Sequence, residues 1–243
     1  MNIRLAKFQD LTPSTLPFVE GKLKGHKERK NYSILGPGVA EDANQSIKIS
    51  ERHGFNLGAV SAKPFNGSGL HSHLTAEVFI IYSGKWRFYW GSKGGDETIL
   101  NAGDIISMPI NMFRAFENVG DEEGFIFVVL GGDDPGIVTW IPEVLKKAKQ
   151  TGMALLDDNS LIDLNRQEIP NGRKLLEPIS KDEIIKFDKP TIFFSQKGKW
   201  NIQTDNSSFE LDYKDTFSVP VGSNISIQID EKNESLLNCV SKI

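Results

Sequence analysis

From Phe55 onward the chain is cut into short runs of β-type residues, and this punctuation constrains its fold more than any other feature. Residues 55–63, 77–82, 85–90, 97–100, 105–109, 114–118 and 125–130 are such runs. Ser83-Gly84, residues 91–95, Ala102-Gly103 and residues 118–124 separate them with turn chemistry. In the first run Phe55, Leu57, Ala59 and Ser61 alternate against their neighbours, the period of a strand. Many short strands joined by glycine-rich turns predict an antiparallel sandwich or barrel.

One helix interrupts the pattern. Pro142 suits a first helical turn, Val144, Leu145 and Ala148 recur on one face, and Gly152 suits the residue after the end. The spacing predicts a helix over residues 142–151. Ser180 with Glu183 forms a capping box and predicts a further helical turn over 181–186. Strand-like runs then return at 191–195, 199–204, 209–213, 216–219, 225–229 and 236–240.

This tail repeats the first set. Gly198-Lys199-Trp200-Asn201 echoes Gly84-Lys85-Trp86-Arg87, and Asp215-Thr216-Phe217-Ser218-Val219-Pro220 echoes Asp104-Ile105-Ile106-Ser107-Met108-Pro109. The offset between the copies falls from 114 to 111, as a hairpin loop three residues shorter would produce. Residues 1–50 carry turn residues and no sustained period; they are expected to help complete the second, shorter barrel.

Composition sets the limits. At 243 residues, 39% hydrophobic and 25% charged, the chain has the balance of a globular protein with a real core. The net charge of −4 offers no general attraction to nucleic acid. Lys22, Lys24, His26, Lys27, Arg29 and Lys30 form a basic run, read as a solvated loop because no aromatic interleaving accompanies it. No apolar stretch approaches membrane-spanning length, and the N-terminus lacks an export-type apolar segment, so a cytoplasmic protein is expected. Cys239, the lone cysteine, excludes an intrachain disulfide and reads as an apolar residue of a late strand.

The chemistry concentrates in Leu70-His71-Ser72-His73-Leu74-Thr75-Ala76-Glu77. His71 and His73 are two apart on an extended chain, so they share a face, and a return strand would carry Glu77 across to them. Two imidazoles and a carboxylate suit a divalent ion such as iron, manganese, nickel or zinc. His53, before Gly54 in a turn, and His26, in the basic loop, do not supply an obvious fourth ligand. Of the aromatic run Trp86, Phe88, Tyr89 and Trp90, one alternating subset is expected to fill the barrel with Phe79, Ile81 and Phe116.

The spacing of His71, His73, Glu77 and Gly84 resembles the first motif of the cupin superfamily, and Gly103, Pro109 and Asn118 resemble part of its second. The resemblance implies an all-β chain of two tandem jelly-roll barrels joined by a short helix. It places a metal at the mouth of the first barrel, on His71, His73 and Glu77. Cupins include dioxygenases, decarboxylases, isomerases, epimerases, lyases and non-enzymatic binding proteins, so the fold does not choose a chemistry. The expected layout is an extension over 1–50, the metal-bearing barrel over 51–140, a linker over 141–184 and a degenerate barrel over 185–243.

Three positions depart from the pattern. Phe65 stands where a glycine is expected, Asn111 replaces the glycine of the second motif, and Arg114 replaces its metal-binding histidine. A guanidinium has no lone pair to offer a metal. Arg114 either forks a substrate's carboxylate or phosphate, alongside Phe116, or pairs with Glu77 in an inactive site. In the second copy, His71, His73 and Glu77 correspond to Ile185, Phe187 and Thr191, and Arg114 to Ile225; none of these binds metal. The expected function is that of a metal-dependent, dioxygenase-like oxidoreductase acting on a small acidic or aromatic molecule; the alternative is a non-catalytic binder. The expected partner is a small anionic ligand, with neither nucleic acid nor membrane involved, and the reading admits a homodimer.

Overall fold

The punctuated runs form strands in the computed structural model, which describes residues 4–91, 93–176, 184–186, 191–197, 200–204, 208–212, 215–219, 224–229 and 236–241. The chain divides into two units, Met1–Pro178 and Ile179–Ile243. In the first unit the strands are β1 (Arg29–Leu35), β2 (Ile47–Ile49), β3 (Phe55–Ala62), β4 (Gly67–His73), β5 (Glu77–Ser83) and β6 (Lys85–Trp90). They continue as β7 (Asp96–Asn101), β8 (Ile105–Met108), β9 (Arg114–Asn118), β10 (Gly124–Gly131) and β11 (Val138–Trp140). Helix α1 (Pro142–Gln150) and a small hairpin, β12 (Met153–Leu155) and β13 (Leu161–Asp163), follow.

Two sheets face each other, in the orders β2-β1-β3-β10-β5-β8 and β11-β4-β9-β6-β7. Alternation puts Phe79 and Ile81 of β5, Trp86 and Phe88 of β6, and Ile126, Val128 and Leu130 of β10 into one core with Phe116. Trp86, Phe88 and Trp90 are the alternating subset that packs into the barrel core, the first two fully buried and Trp90 partly, while Tyr89 faces another cluster with Leu70 and Phe113.

Residues 1–50 do not behave as expected. β1 pairs antiparallel with β3, with Arg29 opposite Ala62, and β2 runs parallel to β1. The segment therefore widens the first unit's sheet, where the sequence suggested a contribution to the second barrel. β3 would otherwise present a row of unpaired backbone groups, and an edge of that kind takes up any available strand.

In the second unit the strands are β14 (Ile184–Lys186), β15 (Thr191–Lys197), β16 (Trp200–Thr204), β17 (Ser208–Leu211), β18 (Thr216–Val219), β19 (Asn224–Ile229) and β20 (Leu236–Ser241). Their sheets run β14-β19-β16-β17 and β18-β15-β20, repeating β4-β9-β6-β7 and β8-β5-β10 of the first unit. The registers repeat as well. Trp86 faces Leu100 and Asn118, and Trp200 faces Leu211 and Ile229. The three-residue difference falls in the hairpin loop after β6, whose counterpart follows β16. The helical turn expected over 181–186 is corrected in part. Residues 184–186 pair as a strand with β19, as two consecutive β-branched isoleucines favour, and 181–183 lie outside the described residues.

Two of the departures from the family pattern sit where the backbone needs a glycine. Phe65 and Asn111 both have φ of 60°. Lys63-Pro64-Phe65-Asn66 closes with Asn66 N–H donating to Lys63 O at 3.1 Å, and proline followed by positive φ is the pattern of a type II turn. Phe65 therefore holds a strained backbone while its side chain is 69% exposed. Replacing Phe65 with Gly should raise the first unit's stability by about 1 kcal/mol, since relief of about 1–2 kcal/mol outweighs the added chain entropy. Denaturant unfolding should show a higher midpoint at unchanged slope; an unchanged or lower midpoint would contradict the strain.

Candidate metal centre

β4 carries the two histidines and lies wholly buried between β9 and β11. Its approach to β9 is so close that a Cβ on Gly67 would fall 1.8 Å from Phe116 O. Ser68 pairs with Phe116 but His71 pairs with Arg114, so β4 holds one extra residue between these points. This bulge puts Ser68, His71 and His73 on one wall of a cavity, although Ser68 and His71 would face opposite ways on a regular strand. The chain then turns at residues 74–76 and re-enters as β5, whose first residue is Glu77.

The ligand-type atoms of His71, His73 and Glu77 all lie within 4.8 Å of one another. His71 Nδ1 lies 2.7 Å from Gly69 O, so that nitrogen carries the proton and Nε2 keeps its lone pair. His73 Nε2 lies 3.7 Å from Glu77 Oε2. Burial, reinforced by the Arg114 charge, pushes the His71 pKa down to about 3. His73 is held well below its ordinary value by burial and by its neighbours His71 and Arg114. Both rings are thus neutral, the form that binds metal. The donor set of two neutral imidazoles and a carboxylate fits a divalent ion. Asn111 helps to fix it: its positive φ turns the N–H toward His73 O, at 2.8 Å.

Arg114 is not where an anion-binding residue should be. Its side chain is fully buried; Nε donates to Glu77 Oε2 at 3.0 Å, Nη2 lies 2.9 Å from the same oxygen, and Nη1 donates to Met112 O at 3.0 Å. It does not line the cavity, whereas Phe116, Phe79 and Trp140 do. Of the two roles the sequence left open for Arg114, its contacts are those of the second, pairing with Glu77: β9 sets Arg114 opposite His71 in register, and Glu77 is the acid within reach. Burial raises the Glu77 pKa and the Arg114 contact opposes that rise. His53 is exposed, held by Glu51 O at 2.7 Å, and His26 bonds Gly67 O at 3.0 Å; neither belongs to the cluster.

The cavity has a volume of about 70 Å³, room for roughly five waters or a small organic molecule. Its far wall includes Arg29, Asn31 and residues 36–40, none of which sequence reasoning picked out. Arg29 was hidden inside the basic run. Lys24, Lys27 and Lys30 are exposed as expected, but Arg29 is 2% exposed.

Substituting His for Arg114 would place a lone pair opposite His71 and remove the cation that competes for Glu77. The metal-free variant should lose about 3 kcal/mol through the stranded buried carboxylate. Zinc should restore it, with a larger rise in melting temperature than zinc gives the unmodified protein. Calorimetric scans with and without zinc check this; an equal rise in both proteins would contradict it.

Residues 60–130 match the family model of the cupin domain. Comparison with curated proteins by sequence gave no match. Among solved structures, the polyketide cyclase RemF from Streptomyces resistomycificus is similar at TM-score 0.44 and 14% identity, over 58% of this chain and 86% of that one. Vicilin from Corylus avellana (hazelnut) is similar at TM-score 0.38 and 12% identity, over 97% and 84%. An oxalate oxidase in complex with glycolate is similar at TM-score 0.34 and 22% identity, over 38% of this chain and 48% of that one. None of these likenesses speaks to chemistry. Among the described residues no helix is long and apolar enough to cross a membrane. The barrel that brings His71, His73 and Glu77 together is a cupin domain.

Proposed function

We propose that the first unit is a metal-dependent, dioxygenase-like oxidoreductase domain acting on a small acidic or aromatic molecule. The observation that carries this is the convergence of His71, His73 and Glu77 on a cavity of about 70 Å³. Iron, manganese, nickel and zinc all suit the donor set, and ferrous iron is the ion that oxygen chemistry favours. When bound, such an ion supplies a Lewis-acidic centre with coordination positions left open for small molecules.

The chain's own residues do the rest. Gly69 O fixes the His71 tautomer, and Trp140, with its ring centre 5.2 Å from that of His71, packs the imidazole in place. Phe79 and Phe116, ring centres 5.5 Å apart, form an apolar wall that suits an aromatic or aliphatic body and limits water. Arg114 orients Glu77 from behind.

One observation favours a second reading, a binding protein whose ion anchors a ligand without turnover. Arg114 holds the carboxylate oxygen that lies nearest His73, so it weakens the hold of Glu77 on any ion. Element analysis of the purified protein, followed by oxygen uptake with ferrous iron and small carboxylates or phenols, separates the two. The enzyme reading expects stoichiometric divalent metal, its loss in His71→Ala and His73→Ala, and oxygen uptake that disappears in the same variants. Metal without oxygen uptake would select the binding reading, and a metal-free protein that takes up no added ion would contradict both.

A further inference from the structure

Arg29 is buried without being fully paired. Nη1 donates to Glu20 Oε1 at 2.8 Å and to Gly67 O at 2.7 Å, and the guanidinium carbon stands 5.1 Å from the centre of the Phe18 ring. Nε and Nη2 have no hydrogen-bond partner, although the residue is 2% exposed. These two nitrogens form one edge of the guanidinium plane, with their N–H groups parallel, the geometry that accepts both oxygens of a carboxylate. Burying charged donors unpaired is expensive, so a feature of this kind calls for a partner.

The location supplies one. Arg29 lines the cavity onto which His71, His73 and Glu77 open. Asn31, two residues along β1 and so on the same face, lines it too and has a buried Oδ1 without a partner. Glu20 is already committed: Oε1 to Arg29 and Oε2 to the N–H of Gly69 at 2.7 Å. The buried charged groups around the cavity are the pairs Arg29–Glu20 and Arg114–Glu77, together with the Glu41 carboxyl that accepts from Trp140 Nε1 and whose pKa burial pushes up to about 8. A divalent ion on the cluster would add two positive charges and leave the cavity attractive to an anion.

We propose that the free Nε–Nη2 edge of Arg29 binds the carboxylate of a small organic acid held in the cavity beside the His71–His73–Glu77 cluster. This deepens the proposed function, since it rests on the cavity being a ligand site. It gives Arg29, on β1, the anion role that the sequence suggested for Arg114.

The test titrates propionate and its uncharged analogue propionamide into the full chain by calorimetry, with metal content measured on the same samples. Arg29→Lys keeps a cation for Glu20 and loses the planar fork. The Glu20→Gln, Arg29→Gln double variant removes both charges together. The unmodified protein should bind propionate at least tenfold more tightly than propionamide; Arg29→Lys should lose at least tenfold in propionate affinity, and the double variant should lose the preference. His71→Ala should bind no metal and should bind propionate more weakly for want of the ion's charge, yet still prefer it to propionamide, so failure of the metal reading shows separately from failure of the Arg29 assignment. Should the Arg29 variants not fold, the Arg29 Nε–H resonance of the unmodified protein should shift on adding propionate and not on adding propionamide. Unchanged propionate affinity in the Arg29 variants, a preference lost only in His71→Ala, or an unmoved Nε–H resonance would overturn the assignment.

Discussion

The end of the first unit that carries the histidines is organised around a buried ion pair between Arg114 and Glu77. A carboxylate and a guanidinium removed from water each carry a penalty of several kcal/mol, recovered only while they stay in contact. The contact ties the first residue of β5 to the first residue of β9, strands that belong to different sheets. It thus closes the barrel at the end where the histidines sit. The pair also sets the electrostatics of the cluster, since the Arg114 charge helps keep both imidazoles neutral while its hydrogen bonds hold Glu77 in the direction of His73. An ion bound at His71, His73 and Glu77 would have to share that carboxylate with a fixed cation, which would lower its affinity.

The second unit shows the same strand pairing without the chemistry. Ile185 faces Ile225 across β14 and β19, as His71 faces Arg114 across β4 and β9. Thr191 faces Val219 as Glu77 faces Met108. Among its described residues the second unit buries Trp200, Ile202, Leu211, Val219, Ile225 and Ile227 together. The pairing pattern therefore does not require the ion pair. Two apolar β-branched residues satisfy the same register, and the cost of a buried charge pair is borne only where a site makes use of it.

Much of this was legible in the sequence because its signals are local. Short β-type runs set off by turn residues located seven strands of the first unit, and Pro142 and Gly152 bracketed the helix. The spacing of His71, His73 and Glu77 needs only one strand and one turn to bring the three together. Asn111 and Phe65 stand where the family pattern has glycine, and both hold the left-handed backbone that a glycine position serves. What escaped was long-range. β1 is defined by its partner β3 more than by its own pattern, and the burial of Arg29 follows from Glu20, Gly67 and Phe18 closing around it. The bulge in β4 exists only in relation to β9. The choice between the two roles of Arg114 turned on which acid stands opposite in space, and Glu77, 37 residues away, is that acid. The side chains of residues 236–241, and with them the reading of Cys239 as a core residue, lie outside the described residues.

Two imidazoles of β4 and the carboxylate that Arg114 holds are proposed as one divalent metal site. X-ray absorption at the metal edge of the ferrous- or zinc-loaded full chain tests it most directly. Nitrogen and oxygen scatterers should appear at about 2.0–2.2 Å with the multiple-scattering signature of two imidazoles, reduced to one in His73→Ala. A bound ion with no imidazole signature, or with the same signature in the unmodified protein and in a His71→Ala, His73→Ala double variant, would contradict it.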